Sequence, residues 1–195
     1  MQAPLSGIRV LELASVLAGP AVGMFLAELG ASVLKVENLT TLGDVTRKWK
    51  LPNEPEDSDF SAYFSCVNWG KQSLALNLKA KDGQEILKTL ISASDIVLTN
   101  FKPGDSIKLG ADEASIRAIS PEMIIGNLTG YGEEVPRVGY DAVLQAESGF
   151  LFLNGEPDGD PVKMPVALID LLAAHQLKEG ILLALYQKAR TGKGS

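Results

Sequence analysis

A chain of 195 residues with 46% apolar side chains can bury a sizeable core, so one globular domain or one large part of a domain is expected. Its formal net charge of −6, with basic residues scattered along the chain, argues against a nucleic-acid partner and against a polybasic membrane patch. The single cysteine, Cys66, has no intrachain partner, and no spaced thiols or imidazoles are present. No metal site is therefore expected, and a reducing cytoplasm is the expected compartment.

No apolar run approaches the roughly 20 residues that cross a bilayer, and the start Met1-Gln2-Ala3-Pro4-Leu5 lacks a charged signal sequence. Residues 8–13 and 31–36 are short apolar runs rich in β-formers and predict two strands. A helix is expected between them, with Pro20 in its first turn, Val22, Phe25, Leu26 and Leu29 at helical spacing, and Gly30 ending it in a left-handed conformation. This βαβ unit implies parallel strands. The pattern recurs with a strand at 73–78, a helix at 83–91, a strand at Ile96–Thr99, a short helix at 111–119 and a strand at 123–128 that breaks at Gly130-Tyr131-Gly132. The expected fold is α/β, a Rossmann-like, mostly parallel sheet with helices on both faces.

Residues 40–62 and 154–161 read as exposed loops. Residues 166–186 read as a long buried helix, followed abruptly by Lys188, Arg190 and Lys193. Such an ending predicts that residues 1–195 are a truncated chain, a proteolytic fragment or one half of a split protein.

Ligand chemistry is expected at strand ends. The turn Ala14-Ser15-Val16-Leu17-Ala18-Gly19-Pro20 leads into a helix N-terminus that favours phosphate, but it lacks the three-glycine dinucleotide fingerprint, so Glu37 is a poor candidate for a ribose-binding acid. Asn68-Trp69-Gly70-Lys71 places an ammonium before a strand, and Asn100-Phe101-Lys102-Pro103-Gly104 offers an amide, an aromatic face and a cation after one. A solvated turn explains the first equally well, and most loops like the second are only turns. Asp170 is an acid among apolar neighbours, and a buried carboxylate must be bonded, paired, neutralised or put to work. It fits a helix N-cap, a catalytic nucleophile, or both. His175, the sole histidine, lies five positions later and turns away from that face. With no G-x-S-x-G elbow, triad hydrolase chemistry is not expected.

Taken in order, Pro4 to Leu13, Ala18-Gly19-Pro20, Leu29-Gly30-Ala31, Val33 to Glu37, Gly43-Asp44 with Arg47 and Trp49, Asn68 with Gly70-Lys71, Ser94 to Val97 leading to Asn100-Phe101-Lys102-Pro103-Gly104, Gly130-Tyr131-Gly132, Gly139-Tyr140-Asp141 with Gln145-Ala146, and Asp170 before Thr191-Gly192-Lys193-Gly194 resemble the class III (CaiB/BaiF) coenzyme A transferases. The resemblance implies the large CoA-binding domain, with a second, small domain and a C-terminal return beyond residue 195. It implies transfer of coenzyme A from an acyl-CoA to a carboxylic acid through an anhydride and then a thioester on Asp170, in a homodimer whose chains interlock. CoA contacts in relatives map onto Val16, Ala18, Asn38, Lys71, Asn100, Phe101 and Lys108, with Gly130, Tyr131, Arg137 and Tyr140 also at the site. Asn38 stands where many members carry an arginine, and Leu17 stands where formyl-CoA transferase has a glutamine. Related racemases pair an aspartate with a histidine; Tyr140 stands at that histidine's place, which favours a transferase over an epimerase. A catalytically silent CoA-binding fragment is the third reading.

Overall fold

The computed structural model describes residues 2–195. Its strands are β1 (Arg9–Glu12), β2 (Ser32–Asn38), β3 (Gln72–Leu76), β4 (Ile96–Thr99) and β5 (Ile124–Asn127). Its α-helices are α1 (Ala18–Glu28), α2 (Ala62–Ser65), α3 (Lys81–Ser92), α4 (Asp105–Lys108), α5 (Glu113–Ile119), α6 (Asp141–Glu147), α7 (Phe150–Leu153) and α8 (Leu168–Thr191). The sheet order is β3-β2-β1-β4-β5 with every pairing parallel, the doubly wound arrangement expected from the repeated βαβ pattern.

Residues alternate across a strand, so successive positions feed opposite cores. Val10, Ile96, Leu98 and Ile124 pack with Val22 and Leu26 of α1 and Ala174 and Ile181 of α8. Leu11 and Val97 pack on the other face with Leu87 and Ile91 of α3 and Ile116 of α5. Helices thus cover both faces. Full burial of an aliphatic side chain contributes about 1.5–3 kcal/mol, and Val22, Leu26, Ile91 and Ile96 are all 0% exposed.

Pro20 sits in the first turn of α1, where its missing N–H costs no helical bond. Gly30, just past the helix, takes φ +96°, and a methyl there would lie 2.4 Å from Ala3 Cβ. Two corrections concern regularity and burial. The 40–62 stretch is not wholly irregular, holding two 3-10 turns, Leu39–Thr41 and Val45–Lys48, before α2. The long helix runs to Thr191 and is not buried: Ala174, Ile181 and Ala184 face the core, while Leu172, Leu182, Leu183 and Tyr186 are exposed. Its apolar residues encircle the helix rather than form one stripe, so α1 and the sheet cover only one side.

Candidate active site

Chain connections leave β1 and β4 in opposite directions, and in such sheets a crevice opens beyond the strand ends. A cavity of about 260 Å³ lies there. Its walls are Ser15 to Ala18 after β1, Asn100 to Pro103 after β4, Leu128 to Gly130 after β5, Arg137 to Asp141, and Ile169, Asp170 and Ala173 of α8. A Cβ added at Gly130 would lie 2.4 Å from Gly139 Cα. The two loops therefore touch backbone to backbone, and this contact brings Tyr140 and Asp141 to the start of α8.

Asp170 is the third residue of α8, whose N-cap is Ala167. The N-cap expectation is thus corrected: capping comes from Asp141, whose Oδ1 accepts the N–H groups of Ile169 at 2.8 Å and Asp170 at 3.3 Å. Gln145, wholly buried, braces the same segment. Its Nε2 donates to Asp141 Oδ2 and to the Val166 carbonyl, and its Oε1 accepts from Met164 N–H. With its cap supplied from α6, the Asp170 carboxylate is left without a hydrogen-bond partner among the described residues. Burial first, and then the charge of Asp141, push its pKa from 3.8 up to about 6. The group is therefore ionised at neutral pH yet more basic than an ordinary aspartate, which suits a nucleophile.

Neutralising the neighbour tests this. Asp141→Asn is expected to lower the Asp170 pKa while burial still holds it above its ordinary value. The acid limb of the kcat/KM profile then moves below its wild-type position near pH 6. A pH–rate profile measures the shift.

The first turn rests on a buried charge cluster. Lys35 Nζ contacts Glu12 Oε1 at 3.0 Å, the Ala14 carbonyl at 2.8 Å and Asp44 Oδ2 at 3.1 Å. Lys71 Nζ reaches Glu12 Oε2 at 2.8 Å and also donates to the carbonyl of Pro20 and to Asn68 Oδ1. Helix α1 crosses directly above, because a Cβ at Gly23 would fall 1.8 Å from Glu12 Oε2. Val16, on the cavity wall, has φ +70°. A β-branched residue there costs about 1–3 kcal/mol and persists only where its surroundings impose it.

A sequence model of the family described as CoA-transferase family III matches residues 5–195. The chain belongs to that family. It is 42% identical over 197 residues to the succinate–glutarate CoA-transferase of Agrobacterium fabrum, covering 98% of this chain and 49% of that protein. It is 41% identical over 194 residues to the succinyl-CoA:glutarate CoA-transferase of Mus musculus, covering 98% of this chain and 44% of that protein. A crystal structure of a CaiB/BaiF family protein from Brucella suis superposes with TM-score 0.92 at 40% identity, covering all of this chain and 52% of that one. The chain thus spans about half the length of the curated relatives it matches.

Of the residues that family resemblance points to, Val16, Ala18, Asn100, Phe101, Gly130, Arg137 and Tyr140 line the same cavity as Asp170. Asn38 lines a neighbouring cavity of about 320 Å³ that shares Ser15 and Phe101 with the first. Three others lie elsewhere. Lys71 is turned inward, its side chain 2% exposed and its ammonium engaged by Glu12, so it does not offer a charge to a phosphate at the surface. Burial outweighs that carboxylate and lowers its pKa to about 8. Lys108 pairs with Asp105 at 2.7 Å on an exposed turn and lines neither cavity. Tyr131 donates its hydroxyl to Glu147 at 2.7 Å and stacks under the Arg137 guanidinium, outside the lining.

Glu37 is held by Arg47 at 2.6 and 2.7 Å, by Ser73 at 2.6 Å and by Asp44 N–H, so no ribose can use it. Burial would raise its pKa, but the bonds from Arg47 and Ser73 prevail and hold it at about 2. His175 is exposed and away from the cavity, as its spacing from Asp170 implies. Asp141, Lys35 and Asp44 fall within the motifs that carry the family resemblance, but nothing in the sequence pointed to their roles, and Lys79 in the second cavity had no sequence signal.

Proposed function

We propose that the protein carrying this chain transfers coenzyme A from an acyl-CoA to a carboxylic acid, with Asp170 as the group that is acylated and then thioesterified. The observation that carries this reading is a half-buried carboxylate, without a hydrogen-bond partner among the described residues and raised to about 6, on the wall of a strand-end cavity. Asp170 attacks the thioester carbonyl, the C–S bond breaks, and the thiolate leaves a mixed anhydride on the aspartate. The thiolate then attacks the aspartyl carbonyl, releasing the donor acid and leaving CoA as an Asp170 thioester. The acceptor carboxylate reverses the two steps, so no proton or water is consumed. Held CoA supplies orientation throughout.

Two adjoining cavities suit an elongated ligand. The one beside Asp170 takes the thioester, and the one bordered by Lys79 and Asn38 takes the nucleotide. The sequence relatives named above are called succinate–glutarate and succinyl-CoA:glutarate CoA-transferases, which supports a short dicarboxylate as acceptor here. Leu17 in the lining disfavours formyl or oxalyl groups, and Tyr140 in place of an imidazole disfavours two-base epimerisation. The exposed Leu183 and Tyr186 of α8 support burial against further protein surface, as in a homodimer.

The full-length enzyme incubated with succinyl-CoA and then hydroxylamine should carry a hydroxamate on Asp170, read by peptide mass analysis. An unmodified Asp170 in an enzyme that turns over would overturn the reading. Calorimetry showing CoA binding without turnover would instead identify a silent binding module.

A further inference from the structure

The turn after β1 is held at four consecutive polar backbone groups, from the Ala14 carbonyl to the Val16 N–H. Lys35 donates to the Ala14 carbonyl at 2.8 Å. Asn100 accepts from Ser15 N–H at 3.0 Å and donates to the Ser15 carbonyl at 2.8 Å. Asp44 Oδ2 accepts from Val16 N–H at 3.1 Å. Helix α1 then begins with no side-chain cap and no acid in its first turn, and the N–H groups of Ala18 and Gly19 have no partner among the described residues. Gly19 presses on the turn itself, since a Cβ there would lie 2.3 Å from Ala14 Cβ. The left-handed Val16 is what turns the chain from the sheet into that helix, and Val16 and Ala18 line the same cavity as Asp170.

We propose that Asp44 and Lys35 are positioning residues of the active site: buried beneath it, they hold Val16 in its left-handed backbone and so aim the uncapped start of α1 into the cavity that contains Asp170. Neither side chain lines that cavity; both border the floor of the adjoining one, with side chains only 1% and 2% exposed. Asp44 is suited to this because every neighbour of its carboxylate is a donor. Oδ2 faces Val16 N–H and the Lys35 ammonium, and Oδ1 accepts from Thr46 N–H at 3.0 Å and Thr46 Oγ1 at 2.8 Å. An amide in its place must turn its NH2 toward donors in either orientation. The catalytic consequence rests on the function proposed above; the backbone consequence does not.

The test is a double-mutant cycle in the full-length enzyme with Asp44→Asn and Val16→Gly, because glycine adopts positive φ without being held there. D44N should lower kcat by about tenfold or more in the wild-type background and by less than about threefold in the V16G background. A D44N loss of equal size in both backgrounds would show a general effect on folding and overturn the proposal, as would unchanged kcat. If D44N does not fold, Thr46→Val removes one donor to the same carboxylate, and the same pattern is expected at reduced size. Crystal structures of the wild type and D44N provide a readout independent of turnover. Val16 should leave the left-handed region in D44N, and a retained φ would overturn the proposal. If the wild type transfers no CoA, the functional reading fails while the crystallographic comparison still decides the backbone claim.

Discussion

Asp170→Asn is expected to lower turnover by about 10⁴-fold and, at neutral pH, to make the protein more stable. The first effect follows because the isosteric amide keeps the shape of the site but cannot attack a thioester. The second follows from the direction of the pKa shift. Burial and Asp141 raise the folded-state pKa from 3.8 to about 6, so between those values the folded state binds more proton than the unfolded one, and stability falls as pH rises. Above about pH 6 the deficit is complete; at low pH, with the acid protonated in both states, it is absent. Screening at a partly exposed group reduces it to about 1–2 kcal/mol. Thermal melts at pH 8 should place the variant's Tm a few degrees above that of the wild type, and melts near pH 4 should nearly coincide. An active D170N enzyme would rule out the proposed chemistry, whereas equal Tm at pH 8 would remove only the account of its environment.

Glu12→Ala is expected to cause a large loss of stability. Glu12 is 0% exposed and lies between the Lys35 and Lys71 ammonium groups at 3.0 and 2.8 Å. Removing it leaves two like charges in the core with Asp44 as their only nearby acid. Breaking a buried pair in this way costs about 3–5 kcal/mol, a large share of the roughly 5–15 kcal/mol of a whole domain. Urea unfolding should show a lower midpoint. The pH dependence gives a second check. Burial, opposed by Glu12, already lowers the Lys71 pKa to about 8. Losing that carboxylate lowers it further, so the folded variant sheds the proton that the unfolded chain keeps until about 10.5. Stability of the variant should therefore recover as pH rises through that interval. A midpoint unchanged from wild type would show that the two lysines do not depend on Glu12.

The sheet was legible because its signal is local. Ile96–Thr99 was expected as a strand with the same limits it has, and the helices now seen at Ala18–Glu28 and Lys81–Ser92 carried apolar residues at helical spacing. The short helices Ala62–Ser65, Asp105–Lys108, Asp141–Glu147 and Phe150–Leu153 carried no expectation, since so few residues give a weak period; Glu113–Ile119, no longer than Asp141–Glu147, was the one short helix expected. Positions at strand ends identified most of the cavity wall. What failed depends on pairing between distant segments. Glu12 lies directly opposite Lys35, a relation fixed only by the register of β1 on β2, and in the sequence both are merely charged residues near apolar runs. Lys71 was misplaced for the same reason: a glycine–lysine pair before a strand looks solvated until α1 is laid across it. Asp141 caps a helix that begins 27 positions later, and no capping rule reaches that far.

The charges packed under α1 make the protein's stability depend on temperature in an unusual sense for its core. Stripping water from charged groups becomes less unfavourable on warming, because their hydration grows weaker, while the gain from packing hydrocarbon levels off. A centre built from Glu12, Lys35, Asp44 and Lys71 is therefore a greater burden in the cold than an all-aliphatic one would be. The underside of the turn after β1 should loosen first on chilling, well before the flanking helices respond.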